Sequence, residues 1–224
     1  MLNLIAKQTF FRAEFLVMAK YQIVLGSGSK YRAEQLADLG FEFKQIVPDV
    51  DEEAFKQEFS DPVILAILLS NVKAENVRAQ LEKEPWFEKD VTYFLIASDQ
   101  LVEFDGQILG KPGTKEKAIE QLMLLSGNEH NLITAVTMFK VGAGGFERKS
   151  DAVIERMKMH KLSIMEIQNY VNAVNPVDCA GSYQIEGIGL GLFSSIIGED
   201  FTSIKGLPLM KVLLYLRDFD YPLF

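Results

Sequence analysis

Hydrophobic and polar positions alternate between two kinds of segment along this chain. Tyr21 to Leu25 is a short apolar run closed by glycine, which predicts a buried strand. Gly26-Ser27-Gly28-Ser29 follows it. From Tyr31 to Leu39 the spacing turns helical, with Leu36 and Leu39 on one face, until Gly40 stops the helix. Phe41 to Val47 alternates apolar and polar residues and predicts a second strand. Asp49, Asp51, Glu52 and Glu53 then predict an acidic loop. Asp61-Pro62 pairs an N-cap with a proline at the first helical position, opening a helix to about Glu82. Val91 to Ala97 predicts a third, buried strand that ends at Ser98-Asp99. Leu101 to Phe104 leads into Asp105-Gly106, a hairpin signal.

Thr114 caps a helix through Leu125, closed by Ser126-Gly127. Asn131 to Val141 and Ala152 to Lys161 predict strands on either side of the Gly142-Ala143-Gly144-Gly145 turn. Ser163 and Glu166 form a capping box before a helix that ends at Asn175-Pro176. The glycine-rich stretch from Gly181 to Gly206 holds one or two strands, and a last helix runs from near Pro208 to near Phe219. Strands and helices alternate without a break in composition, so the fold class is α/β. No internal repeat or low-complexity segment interrupts the pattern.

The 224 residues suffice for one domain with a continuous core. Apolar residues at 48% and charged residues at 24% exclude disordered and collagen-like classes. A net charge of −8 gives no bulk attraction for nucleic acid, so any phosphate site must be local. A single cysteine, Cys179, rules out a disulfide framework, and two histidines, His130 and His160, argue against a His-rich zinc site. No apolar run is long enough for a membrane span. The first twenty residues are broken by Lys7, Arg12 and Glu14 and lack a signal-peptide layout. The cytoplasm is therefore the expected location. Residues 1–17 read as a non-core extension, with Met18 as the expected natural start and 18–224 as one folded unit.

Several residues stand out for their chemistry. The Gly-Ser-Gly-Ser junction between strand and helix suits either a phosphate cradle or a plain turn. Ser27 and Ser29 would add hydroxyl donors, and Lys30 and Arg32 positive charge. It lacks the Gly-Lys-Ser/Thr of a P-loop, and Tyr31 stands where a dinucleotide fingerprint needs glycine. Asp99, read as following a buried strand, either holds Mg²⁺ or orients a water, or else caps a turn. Lys111, in the stiff Gly110-Lys111-Pro112 loop, is by itself most simply a solvated lysine, as Asp49 to Glu53 is most simply a solvated loop. Lys73 lies within an otherwise apolar helix face of Ile67, Leu68 and Val72, and either enters a cleft or snorkels to solvent. Glu186, between Ile185 and Gly187, either accepts hydrogen bonds from a base edge or terminates a turn. His130 and Cys179 carry no assigned role.

Taken together, these segments resemble the Maf family of nucleoside triphosphate pyrophosphatases, from about Tyr21 to Arg217. The blocks, in the family's order, begin with Ser27-Gly28-Ser29-Lys30-Tyr31-Arg32, Asp49-Val50-Asp51-Glu52 and Lys73-Ala74. Ser98-Asp99-Gln100, Asp105-Gly106-Gln107-Ile108-Leu109-Gly110-Lys111-Pro112 and Leu125-Ser126-Gly127 follow, then Ala180-Gly181-Ser182-Tyr183 and Gly206-Leu207-Pro208. Cys179-Ala180-Gly181-Ser182-Tyr183-Gln184-Ile185-Glu186-Gly187 is most similar to the 7-methyl-GTP pyrophosphatase branch, since the dTTP/UTP branch has glutamine in place of Glu186. Lys30 replaces the usual proline, and Ala33 stands where that branch has a second arginine.

The resemblance implies a Maf/inosine-triphosphatase-like fold, with an elongated, twisted mixed sheet, helices, and two lobes around a deep cleft. It implies hydrolysis of a nucleoside triphosphate to the monophosphate and pyrophosphate, with a divalent metal, Mg²⁺ or Mn²⁺. Asp99 would be the base and, with Glu52, a metal ligand. Ser27, Ser29, Lys30 and Arg32 would cradle the phosphates, Lys73 and Lys111 would stabilise charge from the other side, and Glu186 would read the base. The implied partner is a nucleotide, with no nucleic acid and no membrane. The family often forms homodimers, so a homodimer is expected. The rival readings are a nucleotide-binding regulator of septum formation with little turnover, and a pyrophosphatase that prefers dTTP or UTP.

Overall fold

A computed structural model gives the fold and describes residues 20–56, 59–142 and 144–224. The extension expected over residues 1–17 and the start at Met18 lie outside the described residues. Strands β1 (Lys20–Gly26) and β2 (Phe43–Gln45) flank helix α1 (Lys30–Asp38). Helices α2 (Glu52–Lys56) and α3 (Pro62–Leu81) lead to the strands β3 (Val91–Phe104) and β4 (Gln107–Leu109). Helix α4 (Lys115–Leu125), the hairpin β5 (Glu129–Gly142) and β6 (Gly145–Met159), and helix α5 (Ile164–Val174) follow. Short 3-10 turns at Gly187–Leu192 and Phe201–Lys205 bracket β7 (Phe193–Ile197), and α6 (Leu209–Asp218) closes the chain.

The caps expected from sequence form. Asp61 accepts hydrogen bonds from the Val63 and Ile64 amides at 2.8 and 3.1 Å, and Ser163 and Glu166 close a reciprocal capping box. Asn175 ends α5 in the left-handed conformation, φ 53°.

The seven strands lie in the order β2-β1-β3-β5-β6-β7, with β4 paired to β3. β1 runs parallel to β2 and β3, and the other pairings are antiparallel. The mixed sheet, with helices on its faces, is the α/β architecture expected. β3, β5 and β6 have 14, 14 and 15 residues, so each spans about 45 Å at the ordinary strand rise. They run through both lobes. In one lobe, α1 and α6 cover one face through Ile23, Leu36, Phe94, Ile96, Val212 and Leu216, and α3 covers the other through Leu69, Ala74, Val77, Tyr93 and Leu95. In the other lobe, α4 and α5 pack Leu122, Tyr170 and Val171 on Val102, Leu132, Met157 and Phe193.

Several elements differ from expectation. β3 does not stop at Ser98-Asp99; it continues to Phe104, and Asp99 pairs with Ala135 in mid-strand. The polar Ser-Asp-Gln triplet reads as a strand end, yet neighbours on β5 complete its backbone ladder. Glu52 and Glu53 open α2 rather than lying in a loop. β2 is shorter than Phe41 to Val47, and β6 ends at Met159 but begins at Gly145, because β5 carries its pairing out to the turn. The buried face of α3 is Leu65, Leu69, Lys73 and Val77, not Ile67, Leu68 and Val72.

Candidate active site

A cleft of about 670 Å³ lies where the junction from β1 to α1, the middle of β3 and the segments 178–186 and 204–206 converge. Its floor is set by strand alternation. Tyr93, Leu95, Ala97, Asp99 and Leu101 of β3 share the face covered by α3, whose buried stripe includes Lys73. Asp99 and Lys73 are both buried, 4% and 8% exposed. Lys73 Nζ donates to Asp99 Oδ1 at 2.5 Å and pairs with Glu52 Oε1 at 2.8 Å. One ammonium thus bridges two carboxylates, as buried charges require.

Asp99 Oδ2 is buried in the cleft wall and has no hydrogen-bond partner among the described residues. Burial pushes the Asp99 carboxyl above the ordinary carboxylate range and Glu52 adds to that push, while Lys73 and Arg32 pull the other way.

The residues flanking Asp99 face the opposite side of the sheet. Ser98 donates to the Gly206 carbonyl at 2.8 Å, and Gln100 donates to the Ser203 carbonyl at 2.9 Å. Arg32 Nε reaches the same Gly206 carbonyl at 2.7 Å, and its Nη1 donates to Ser27 Oγ at 3.2 Å. Gly206 sits at φ +100°, and a Cβ there would meet Arg32 Nε at 3.2 Å, so glycine is required for this approach. These contacts explain why serine and glutamine flank the aspartate: they hold the far wall while Asp99 faces the cleft.

The phosphate-cradle residues come together. Ser29 caps α1, its Oγ accepting from the Arg32 amide at 3.5 Å, and Ser27 Oγ accepts from the Ser29 amide at 3.1 Å. At Gly26 a Cβ would meet Val77 Cγ2 at 2.9 Å, so the strand end packs directly on α3. Lys30 lies over the Tyr31 ring at 4.9 Å, and Tyr31 donates to Gln184 Oε1 at 3.4 Å. Burial lowers the Arg32 guanidinium from its ordinary value, an effect opposed by Asp99 and Glu52.

Lys111 and Glu186 also line the cleft, so every site residue expected from sequence reaches it. Gln184 and Lys205 line it too and were not expected from sequence. Lys205 was detectable, since it directly precedes Gly206-Leu207-Pro208. Cys179 is half-buried, and burial pushes its thiol up, away from a reactive thiolate. His130 Nε2 lies 3.0 Å from the Tyr183 hydroxyl, which places it behind the cleft wall rather than in the cleft.

The sequence profile of the Maf-like proteins matches residues 22–219. This chain belongs to that family. Among its relatives is a protein of Bdellovibrio bacteriovorus named 7-methyl-GTP pyrophosphatase, 40% identical over 87% of this chain and 95% of its own length. Proteins of the same name from Idiomarina loihiensis and Xanthomonas axonopodis are each 37% identical, over 87% and 88% of this chain and 93% and 95% of their own lengths. The Maf-like match spans both walls of the cleft. Among the described residues, no helix is long and apolar enough to cross a membrane.

Proposed function

We propose that this chain is a nucleoside triphosphate pyrophosphatase that hydrolyses 7-methyl-GTP to the monophosphate and pyrophosphate. One observation carries the reading: Asp99 has a buried carboxylate oxygen with no partner among the described residues, beside the Lys73–Glu52 pair and next to the Gly26–Ser29 loop, which opens a helix carrying Lys30 and Arg32 in its first turn. A polyanion bound in that loop would bring its phosphorus atoms towards the carboxylate. The names of the relatives supply the substrate.

Asp99 Oδ2 and Glu52 fit a hard divalent cation. Among the described residues, no three His, Cys, Asp or Glu side chains gather, so water and phosphate oxygens would complete its shell, as is usual for Mg²⁺. Mg²⁺ or Mn²⁺ there would neutralise phosphate charge and lower the pKa of a bound water. Oδ2 is the one oxygen that Lys73 leaves to Asp99, so Asp99 acts as the base, accepting the proton of the attacking water, when a water rather than the cation lies against that oxygen. Lys73 holds both carboxylates in place. Ser27, Ser29, Lys30 and Arg32 bind phosphate oxygens, and Lys111 balances the charge from the loop after β4. Glu186 accepts hydrogen bonds from N1–H and N2–H₂ of the guanine, and the positive charge of the methylated base strengthens that pairing. Such a substrate belongs to the intracellular nucleotide pool, which supports a cytoplasmic enzyme.

The test is product analysis with 7-methyl-GTP, GTP, UTP and dTTP in the presence of Mg²⁺ or Mn²⁺. Pyrophosphate and monophosphate should appear, with the highest kcat/KM for 7-methyl-GTP. Binding without pyrophosphate release from any of them would favour a regulatory protein instead.

A further inference from the structure

We propose that Lys205 is a substrate-binding residue that grips the polyphosphate from the wall opposite Asp99, an inference that rests on the pyrophosphatase reading. It ends the 3-10 turn Phe201–Lys205 and lines the same cleft as Ser27 to Arg32. The backbone that carries it is fixed on both sides. Gln35 of α1 donates to the Thr202 and Leu207 carbonyls at 2.8 and 3.1 Å, and Gln100 donates to those of Ser203 and Ile204 at 2.9 and 3.3 Å. Arg32 and Ser98 both bind the Gly206 carbonyl. Asp200 caps the turn, its Oδ1 accepting from the Thr202 amide at 3.0 Å. An exposed, flexible lysine is thus mounted on a backbone tied to the residues that flank Asp99.

Its charge is also unspent. Lys20, Lys140, Lys149 and Lys211 each pair with a carboxylate, whereas Lys205 makes no ion pair or hydrogen bond with a described residue. The cleft holds the carboxylates Glu52, Asp99, Asp178 and Glu186 as well as Lys30, Arg32, Lys73 and Lys111, and Lys73 is spent on Glu52 and Asp99, so Lys205, paired with no described carboxylate, keeps its charge for a bound anion. Gly206 joins Lys205 directly to Arg32, and Arg32 to Ser27, which puts Lys205 beside the phosphates rather than the base. A lysine there would bind phosphate oxygens as a mobile point charge.

The experiment compares full-length wild type, Lys205→Gln and Lys205→Arg. Calorimetry with inorganic pyrophosphate and Mg²⁺ measures binding, and steady-state kinetics with 7-methyl-GTP separate KM from kcat. Lys205→Gln should weaken pyrophosphate binding and raise KM by about tenfold, the scale of one charge-assisted hydrogen bond, and Lys205→Arg should restore most of both. Affinity for uncharged 7-methylguanosine should stay unchanged. Wild-type affinity for pyrophosphate in Lys205→Gln would overturn the proposal, as would an equal loss of affinity for the nucleoside. Melting temperatures verify folding. If wild type released no pyrophosphate from any triphosphate, the functional reading would fail, yet the calorimetric comparison would still decide the role of Lys205.

Discussion

Lys73 reaches from α3 to donate a 2.5 Å hydrogen bond to Asp99 in the middle of β3, 26 positions further along the chain. The same ammonium binds Glu52, so one lysine organises the acidic centre of the cleft. The centre is asymmetric. Asp99 Oδ1 is occupied by Lys73, and only Oδ2 remains for a water or a cation.

Asp99→Asn keeps the size of the side chain and its place in the sheet. It removes the charge that accepts a proton. Hydrolysis should fall by ~10² to 10⁴-fold while the melting temperature stays near that of wild type. Pyrophosphate release measured beside thermal unfolding checks this, and near-normal turnover in the folded variant would remove Asp99 from the role of base.

Lys73→Met should be the more damaging change to stability. It leaves two neighbouring carboxylates without their shared cation, one of them buried. Breaking a buried pair from one side typically costs about 3–5 kcal/mol. Asp99→Asn, in contrast, leaves Lys73 paired with Glu52. Denaturant unfolding of both variants should therefore rank Lys73→Met below Asp99→Asn. The reverse order would mean that the ammonium contributes little to holding the centre together.

Glu186→Gln should alter base preference. A carboxylate matches the two adjacent donors of guanine, whereas uracil and thymine offer one N–H between carbonyls that the carboxylate repels. The ratio of kcat/KM for 7-methyl-GTP over UTP should fall in the variant. An unchanged ratio would show that Glu186 does not touch the base.

His130 sets a pH dependence of stability. Burial lowers its imidazole to about 4, with Glu103 acting weakly in the opposite sense. The unfolded chain, with the ordinary value near 6.5, takes up the proton first as the pH falls. Stability is thus intact above about 6.5 and declines as the pH drops towards 4, by roughly 3 kcal/mol at most. Unfolding free energies at pH 7 and pH 4 for wild type and His130→Phe should differ less in the variant. Equal pH dependence would mean that His130 is not buried as a neutral ring.

Much of this fold was legible in local patterns. The caps at Asp61, Thr114 and Ser163, the turn at Asp105-Gly106 and the apolar run of β1 depend on near neighbours, and these elements formed as expected. Where pairing is long-range, the sequence was less informative. A polar triplet inside β3 looks like a strand end until β5 is known to continue alongside it. On α3 apolar residues lie on every side of the helix, so the pattern does not single out the face that meets the sheet. The site residues were legible as separate motifs, but the contacts that position them were not. That Ser98 and Gln100 hold the wall carrying Lys205, while Asp99 points the other way, follows only from the alternation of a continuous strand.

The three long strands also constrain how this protein can move and melt. β3, β5 and β6 supply sheet to both lobes, so no flexible connector separates them. Swinging the walls apart would require bending three hydrogen-bonded strands at once. The sheet therefore offers no hinge between the walls, and any change in the width of the opening would have to come from the segments 178–186 and 204–206 that line it. For the same reason neither half has a complete sheet of its own. Loss of one half exposes the other, and the molecule should unfold in a single cooperative step, with activity and structure disappearing at the same temperature.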